Sequence, residues 1–117
     1  MRIFGIGTDI INIKRMEKTL KKNNSRFKMR IFSKEEISYC ENKKNSHSFF
    51  AKRFAAKEAF AKALGTGIRK GISFKNIIIK NDKYGKPSIL LKGSTKSFLK
   101  KKIKNKKYFI HLSLSDD

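Results

Sequence analysis

Two acids and one lysine stand in largely apolar stretches, and they are the side chains best suited to chemistry. Glu58 and Lys62 lie one helical turn apart among the alanines and phenylalanines of residues 49–64. Asp9 is the only acid in the apolar run of residues 2–11. A carboxylate in apolar surroundings is costly unless it is paired, hydrogen-bonded or bound to a metal ion. Two plainer interpretations stay open, since Asp9 can cap a helix or end a strand and Glu58 can simply pair with Lys62.

A glycine-rich basic turn, GTGIRKG at residues 65–71, follows shortly after Lys62. Its backbone N–H groups and two cations can receive a phosphate. It is not a Walker loop, because it lacks the required GK[ST] ending. It is not a dinucleotide fingerprint either, because it follows a helix instead of joining a strand to a helix. The turn therefore indicates phosphate binding only weakly.

The composition limits the class of protein. The 117 residues suit one domain, and the formal net charge is +21. Such a charge favours RNA or other anionic partners, but lysine far outnumbers arginine, as A+T-rich coding sequences produce. We therefore assign much of the charge to a solvated surface and expect no nucleic-acid partner. A single cysteine, Cys40, excludes an intrachain disulfide. Without an apolar run of about 18–20 residues or a leader pattern, we expect a cytoplasmic protein with no membrane partner.

Periodicity and turn residues predict a small α+β fold. We expect helices over residues 12–22, 33–43, 48–64 and 93–104, and a short helix or turn over 26–31. We expect strands over residues 2–11, 72–80, 88–91 and 108–114, with a hairpin turn at 81–87. The first helix is basic and amphipathic, so it is either a solvated surface helix or a docking surface for an acidic partner.

Cap residues set the expected ends of these helices. Asn12, Ser33 and Ser48 are the predicted N-caps, and Ser33 is expected to form a capping box with Glu36. Gly65 is expected to end the long helix.

The long helix over residues 48–64 is apolar on most sides, which predicts that it is buried. Its cations are expected to extend along apolar surface to reach solvent; they are Lys52, Arg53 and Lys57. In the first predicted strand, Gly5 and Gly7 allow another backbone to approach closely.

Three stretches of the chain resemble one known family. They are GIGTDI at residues 5–10, FAAKEAFAKALGTGI at residues 54–68 and GKP at residues 85–87. In order and spacing they are similar to the holo-[acyl carrier protein] synthases, the short trimeric type of 4′-phosphopantetheinyl transferase. The resemblance covers essentially the whole chain. It implies a single domain over residues 1–117 and a small antiparallel sheet with a long buried helix. Members of that family usually continue with one more apolar strand, so we expect that this sequence is either truncated or has lost that strand.

The resemblance also implies an activity. Such enzymes move the 4′-phosphopantetheine arm of coenzyme A to a serine of apo acyl carrier protein, release adenosine 3′,5′-bisphosphate and support fatty acid biosynthesis. Asp9 and Glu58 match the acids that hold Mg²⁺, or Mn²⁺, together with the pyrophosphate. Lys62 matches the lysine that contacts the phosphates, so we expect it to face phosphate while Glu58 faces the metal. The general base stays open among Glu58, Asp9 and a metal-bound water, of which we favour the water.

Further positions carry over from the resemblance. Those near the coenzyme A nucleotide are Arg53, Lys62, Gly65, Thr66, Gly85, Lys86 and Pro87. The surface that docks acyl carrier protein has Arg15 as its main contact, surrounded by Lys14, Lys18, Lys22, Arg26 and Phe27. A homotrimer with active sites between subunits is implied as well. Asp116 replaces a histidine of many relatives, which argues against phosphate binding there.

Two other function classes compete with this interpretation. A basic RNA-binding module would explain the charge but would leave Asp9 and Glu58 without a purpose. An inactive scaffold would share the fold without turning over a substrate.

Overall fold

The structure, a computed structural model, describes residues 3–65 and 72–115, apart from the side chains of residues 23 and 24. Its elements are α1 (Ile13–Ile31), α2 (Lys34–Glu41), α3 (Ser46–Leu64), a 3₁₀ turn (Phe74–Asn76), β1 (Ile77–Asn81), β2 (Pro87–Leu91) and α4 (Gly93–Lys102). The two strands pair antiparallel, with Ile79 opposite Ile89. The predicted α+β class is therefore confirmed. The glycine-rich turn beyond Gly65, and Asp116, lie outside the described residues.

Helix α3 contributes to two packed clusters. Near its start, Phe50 and Ala51 pack with buried residues of α1, α2 and the loop between them, which are Met16, Leu20, Ile31, Phe32 and Cys40. Towards its end, α3 contributes Ala56, Phe60 and Leu64 to a second buried cluster. The other members of this cluster come from the segment after α3, the hairpin and α4, and are Ile72, Ile77, Ile79, Leu91 and Leu99. The predicted burial of this helix is confirmed. It ends at Gly65, whose φ of 81° is left-handed, as predicted.

Helix α1 is longer than predicted. We expected it to end near residue 22, but it continues without a break to Ile31. Its buried residues Met16, Leu20 and Ile31 fall on one face of a single helix. Packing of that face against the rest of the first cluster therefore outweighs the poor helix propensity of residues 23–25. The cap was predicted correctly, because Asn12 Oδ1 accepts a hydrogen bond from the Arg15 N–H at 3.0 Å.

The capping box of α2 is confirmed. Ser33 Oγ accepts from the Glu36 N–H at 3.2 Å, and Glu36 Oε1 accepts from the Ser33 N–H at 2.9 Å. The start of α3 was predicted wrongly. This helix begins at Ser46, and the Ser48 N–H already donates to the Asn45 carbonyl in its first turn.

The hairpin is confirmed, including the positive φ of Gly85, which is 85°. Its first strand begins at Ile77 instead of residue 72, because residues 74–76 form the 3₁₀ turn. Helix α4 ends at Lys102, earlier than predicted, since Lys104 and Asn105 adopt positive φ angles that a helix does not continue through.

The two terminal strands were predicted wrongly. Residues 3–12 and 106–115 form no helix or strand in the part of the chain that the structure describes. In the C-terminal segment, Ile110, Leu112 and Leu114 pack against the second cluster. Its side chains thus alternate as in a strand, but apolar alternation alone does not supply a hydrogen-bonding partner. The described sheet therefore has two strands.

Candidate active site

The N-terminal segment, residues 3–12, lies directly against α3 through its glycines. A Cβ atom on Gly7 would lie 1.8 Å from the Ala59 carbonyl oxygen. A Cβ atom on Gly5 would lie 2.1 Å from the Ala63 carbonyl oxygen. Neither position has room for a side chain, so the close backbone approach predicted for these two glycines is confirmed.

Over residues 6–12 of this segment, exposed positions alternate with partly buried ones. Ile6 and Ile10 are 76% and 96% exposed. Asp9, by contrast, keeps only 17% of its side chain exposed. Because Gly5, Gly7 and Asp9 share the face that lies against the helix, the register that accommodates the glycines also brings this carboxylate to α3.

The three predicted catalytic residues converge where Asp9 meets the helix. Lys62 Nζ donates to Asp9 Oδ1 at 2.8 Å and to the Thr8 carbonyl oxygen at 3.2 Å. The hydrogen bond to Asp9 raises the pKa of Lys62; burial opposes the rise, and the charges of Asp9 and Glu58 add to it. Lys62 thus binds Asp9, whereas the partly buried Glu58 acts on it through charge.

The donor set at this point suits a hard divalent cation. The carboxylates of Asp9 and Glu58 are the oxygen ligands that Mg²⁺ prefers. Among the described residues, no three His, Cys, Asp or Glu side chains form a cluster that could enclose a metal ion. Two carboxylates fit a cation that keeps waters and completes its shell with substrate phosphates.

A second group of predicted residues gathers at the hairpin. Arg53 is 3% exposed, lies 4.4 Å from the centre of the Tyr39 ring and donates from Nη2 to Asn81 Oδ1. Asn81 Nδ2 donates in turn to the Gly85 carbonyl oxygen at 3.1 Å. Arg53 is thereby linked to the turn that carries Gly85, Lys86 and Pro87. The expectation that its charge reaches solvent was wrong, because Tyr39 and Asn81 hold it inside.

One further predicted nucleotide-binding position lies at the end of α3. Gly65 is the exposed residue that ends the helix. Thr66 lies outside the described residues.

Sequence reasoning missed a buried ion pair. Lys57 Nζ donates to Glu36 Oε1 at 2.8 Å and to the Phe74 carbonyl oxygen at 2.7 Å, and it also donates to the Ile77 carbonyl. Glu36 Oε2 accepts from the Ile79 N–H at 3.0 Å. Both side chains are 0% exposed. Burial lowers the pKa of Lys57, and the charge and hydrogen bond of Glu36 oppose that decrease.

The prediction that Lys57 reaches solvent was therefore wrong. Lys57 is on the face of α3 that carries Phe50, Phe60 and Leu64, all of them buried. That helical spacing was the available signal, because a cation on a fully apolar face needs an internal acid. The capping-box acid, Glu36, is that partner.

The residues predicted to dock a partner protein form one exposed stripe on α1. Lys14, Lys18, Lys22 and Arg26 recur every four residues and are exposed, and Arg15 lies beside them. Phe27 is partly buried instead, with its ring centre 6.1 Å from that of Phe54. The unbroken helix makes this basic stripe continuous.

None of the helices in residues 3–65 and 72–115 is long and apolar enough to cross a membrane.

Comparison with known proteins identifies the family. Residues 5–113 match the 4′-phosphopantetheinyl transferase superfamily. The chain belongs to this superfamily. The holo-[acyl-carrier-protein] synthase of Pelagibacter ubique is 46% identical over 117 residues, which cover 100% of this chain and 90% of that protein.

Solved structures of the superfamily share the fold. The crystal structure of the holo-[acyl-carrier-protein] synthase from Neisseria meningitidis has a TM-score of 0.89 and 41% identity, and the match covers 99% of this chain and 90% of that one. The Helicobacter pylori synthase, solved in complex with coenzyme A, has a TM-score of 0.70 and 39% identity, with 80% and 78% coverage. The predicted phosphopantetheinyl transferase fold is therefore confirmed.

Proposed function

We propose that this chain transfers 4′-phosphopantetheine from coenzyme A to a serine of apo acyl carrier protein, as a single-domain holo-[acyl carrier protein] synthase. The observation that carries the proposal is the convergence of Asp9, Glu58 and Lys62 in a chain that matches the superfamily over residues 5–113. Such an enzyme would act in the cytoplasm and support fatty acid biosynthesis.

The reaction is an attack at phosphorus. The serine oxygen of the carrier protein forms a bond to the β-phosphorus of coenzyme A, and the bond from that phosphorus to the bridging oxygen breaks. Adenosine 3′,5′-bisphosphate leaves with the bridging oxygen, and the serine hydroxyl gives up its proton to a water molecule. Negative charge grows on the phosphate oxygens during this step. The ammonium of Lys62, on the same helix as Glu58, stabilises that charge once it faces phosphate.

Asp9 and Glu58 are the residues that would hold Mg²⁺, with Mn²⁺ as a substitute. The cation, when bound with the pyrophosphate, neutralises charge on the phosphate oxygens and polarises the reacting phosphorus. The protein's part is to fix the two carboxylates: α3 carries one, and the glycine contact with α3 positions the other.

The coenzyme A nucleotide binds near the hairpin and the end of α3. The proposed contacts are Arg53, Lys62, Gly65, Thr66, Gly85, Lys86 and Pro87. Support comes from Arg53, because its buried Nε lacks a hydrogen-bond partner among the described residues. A buried guanidinium with a donor to spare suits a phosphate or another anionic oxygen.

Acyl carrier protein docks on the basic stripe of α1. An acidic partner helix would meet Lys14, Arg15, Lys18, Lys22 and Arg26, with Phe27 at the edge. Charge complementarity of this kind speeds encounter and fixes orientation. Replacing Arg15 with Glu should raise KM for the carrier protein and leave kcat nearly unchanged. Lys101→Glu, an equal charge change on the exposed face of α4, is the matched control.

The active assembly is a homotrimer. The outward face of the N-terminal segment supports this proposal, because Ile6 and Ile10 are 76% and 96% exposed. Large apolar side chains exposed along one surface segment are typical of protein contacts. Sedimentation equilibrium of the purified chain should give three times the monomer mass, and a monomer would contradict the assembly.

The test of the proposed function is a mass measurement. Apo acyl carrier protein is incubated with the purified chain, coenzyme A and Mg²⁺, and the carrier protein is weighed by mass spectrometry. We expect the mass to increase by one phosphopantetheine group. A carrier protein whose acceptor serine is replaced by alanine should keep its mass. An unchanged apo carrier protein, beside a known synthase that modifies it, would refute the proposal.

Variants then test the site. Glu58→Gln should abolish the mass shift, whereas Glu41→Gln should preserve it, because Glu41 pairs with Lys28 on the surface. Equal activity of both variants would remove Glu58 from the mechanism.

A further inference from the structure

The contact between Lys62 and Asp9 involves a carboxylate that the proposed mechanism needs for a metal ion. Lys62 Nζ lies 2.8 Å from Asp9 Oδ1 and 3.2 Å from the Thr8 carbonyl oxygen. These bonds connect α3 to the N-terminal segment beside Gly5 and Gly7. The ammonium therefore acts as a cationic link between two parts of the chain that each carry one proposed metal ligand.

The ammonium of Lys62 and a divalent cation cannot both bind the Asp9 carboxylate with full affinity. Both seek the carboxylate of Asp9, and two positive charges a few ångströms apart repel each other. A lysine ammonium also differs from a metal ion in being attached to a flexible four-carbon chain. It can leave the carboxylate without any movement of the backbone.

The surroundings of Lys62 permit such a movement. Its side chain is 55% exposed, whereas the Asp9 side chain is 17% exposed. An exposed ion pair is weak and exchanges readily, because water replaces its hydrogen bonds. The Lys62 side chain can therefore move into water, whereas Asp9 stays largely shielded from it.

We propose that Lys62 and the divalent cation are alternative partners of Asp9. Lys62 holds the N-terminal segment on α3 until the cation binds, and the cation then displaces the ammonium towards the substrate phosphates. One side chain therefore acts first as a positioning residue and then as a phosphate contact. The inference rests on the proposed function, since it uses the same metal ligands.

Metal affinity gives the first test, with Mn²⁺ alone as the probe. Free Mn²⁺ is measured by electron paramagnetic resonance during titration of the full chain. Lys62→Gln should bind Mn²⁺ about three- to tenfold more tightly than the natural chain, because a competitor has been removed. Lys62→Arg keeps a cation in place and should bind as weakly as the natural chain.

A matched control is available on α4. Lys102 Nζ donates to the Leu64 carbonyl oxygen at 2.8 Å, so Lys102→Gln removes an equal charge near the end of α3 without freeing a carboxylate. This variant should leave Mn²⁺ affinity unchanged.

Backbone dynamics give the second test, which simple charge repulsion would not affect. In the ¹⁵N-labelled chain, the heteronuclear NOE of the Gly5 and Gly7 amides reports whether the segment is held on α3. Without added metal, Lys62→Gln should lower both values, and saturating Mg²⁺ should restore them. The natural chain and Lys102→Gln should show high values with or without Mg²⁺.

Two results would overturn the inference. Lys62→Gln that binds Mn²⁺ no more tightly than Lys102→Gln would show that the lysine does not compete. Unchanged glycine NOE values would show that it does not hold the segment. Either result leaves phosphopantetheine transfer by the natural chain intact, whereas failure of that transfer in the mass assay refutes the proposed function itself.

Discussion

Two lysines on α3 form ion pairs with opposite characters. Lys57 is 0% exposed and meets an equally buried Glu36, two carbonyl oxygens and the surrounding core. Lys62, farther along the same helix, is 55% exposed and meets Asp9 at the surface. Both pairs have the same 2.8 Å separation between nitrogen and oxygen, so distance alone does not distinguish them.

The difference lies in what surrounds each pair. Breaking the buried pair leaves a charge without water, so Lys57 and Glu36 keep α2, α3 and β1 in one arrangement. Breaking the outer pair leaves the Lys62 ammonium in water, because that side chain is 55% exposed, so Lys62 can exchange partners. The lysine that stabilises the fold and the lysine proposed to take part in catalysis therefore lie on different turns of α3.

Removing Lys57 should have the largest effect. Lys57→Ala leaves Glu36 buried and unpaired, which we expect to lower the free energy of unfolding by about 3–5 kcal/mol. Urea denaturation followed by circular dichroism measures the change. Lys62→Ala, on the same helix, should lower stability by at most about 1 kcal/mol; similar losses for both variants would contradict the contrast.

Neutralising Asp9 should have the next largest effect, on activity alone. Asp9→Asn keeps the shape of the side chain and removes a charged oxygen ligand, so we expect the transfer rate to fall about 10²–10³-fold. The rate of carrier-protein modification, followed by mass spectrometry, measures this loss. The urea midpoint should stay close to that of the natural chain, and a large decrease would assign Asp9 a structural role instead.

The pKa of the Cys40 thiol reports how little water reaches the core around the Lys57–Glu36 pair. Burial raises the pKa of Cys40 from 9.0 to about 11. Because the folded pKa lies above the unfolded one, this stabilisation is complete below about pH 9 and is lost as the pH rises towards 11. The natural chain should therefore lose up to about 2.7 kcal/mol more than Cys40→Ala over this interval.

Urea denaturation of both proteins at intervals from pH 8 to 11 measures that difference. Titration of the lysines distant from Cys40 affects both proteins alike, so it cancels in the comparison. Parallel pH profiles would show that the thiol titrates as freely in the folded chain as in the unfolded one.

Displacing the N-terminal segment should have the smallest effect on stability. Gly7→Ala places a Cβ against the Ala59 carbonyl, so the segment must move away from α3. We expect a loss of about 1 kcal/mol, because only this surface segment moves. Transfer activity should fall as well, since Asp9 moves with it. Thr8→Ala, an exposed neighbour, should change neither quantity.

Local signals predicted much of the fold. The capping box at Ser33, the end of α3 at Gly65 and the hairpin around Gly85 depend on residues close in sequence, and all three are confirmed. The close approach of Gly5 and Gly7 was also predicted. Its target, the Ala59 and Ala63 carbonyls, was not, because a glycine shows that space is needed without showing what occupies it.

The remaining features depend on contacts between distant residues. Helix α1 continues because Ile31 and Met16 are buried in the same cluster, which overrides its weak middle. The terminal segments have strand-like patterns without forming part of the described sheet. Lys57 was predicted to be a surface cation, because its buried partner, Glu36, comes from another helix. Sequence patterns describe what a residue requires, whereas the tertiary fold determines which partner meets the requirement.

The alternation along the N-terminal segment restricts changes in its length. Gly5, Gly7 and Asp9 meet α3 on every second residue, while Ile6 and Ile10 point outward. An insertion or deletion of one residue between Gly7 and Asp9 would turn the carboxylate to the opposite side. An insertion of two residues would keep its direction and shift it along α3 instead. We therefore expect a two-residue insertion here to disturb the carboxylate less than a one-residue insertion.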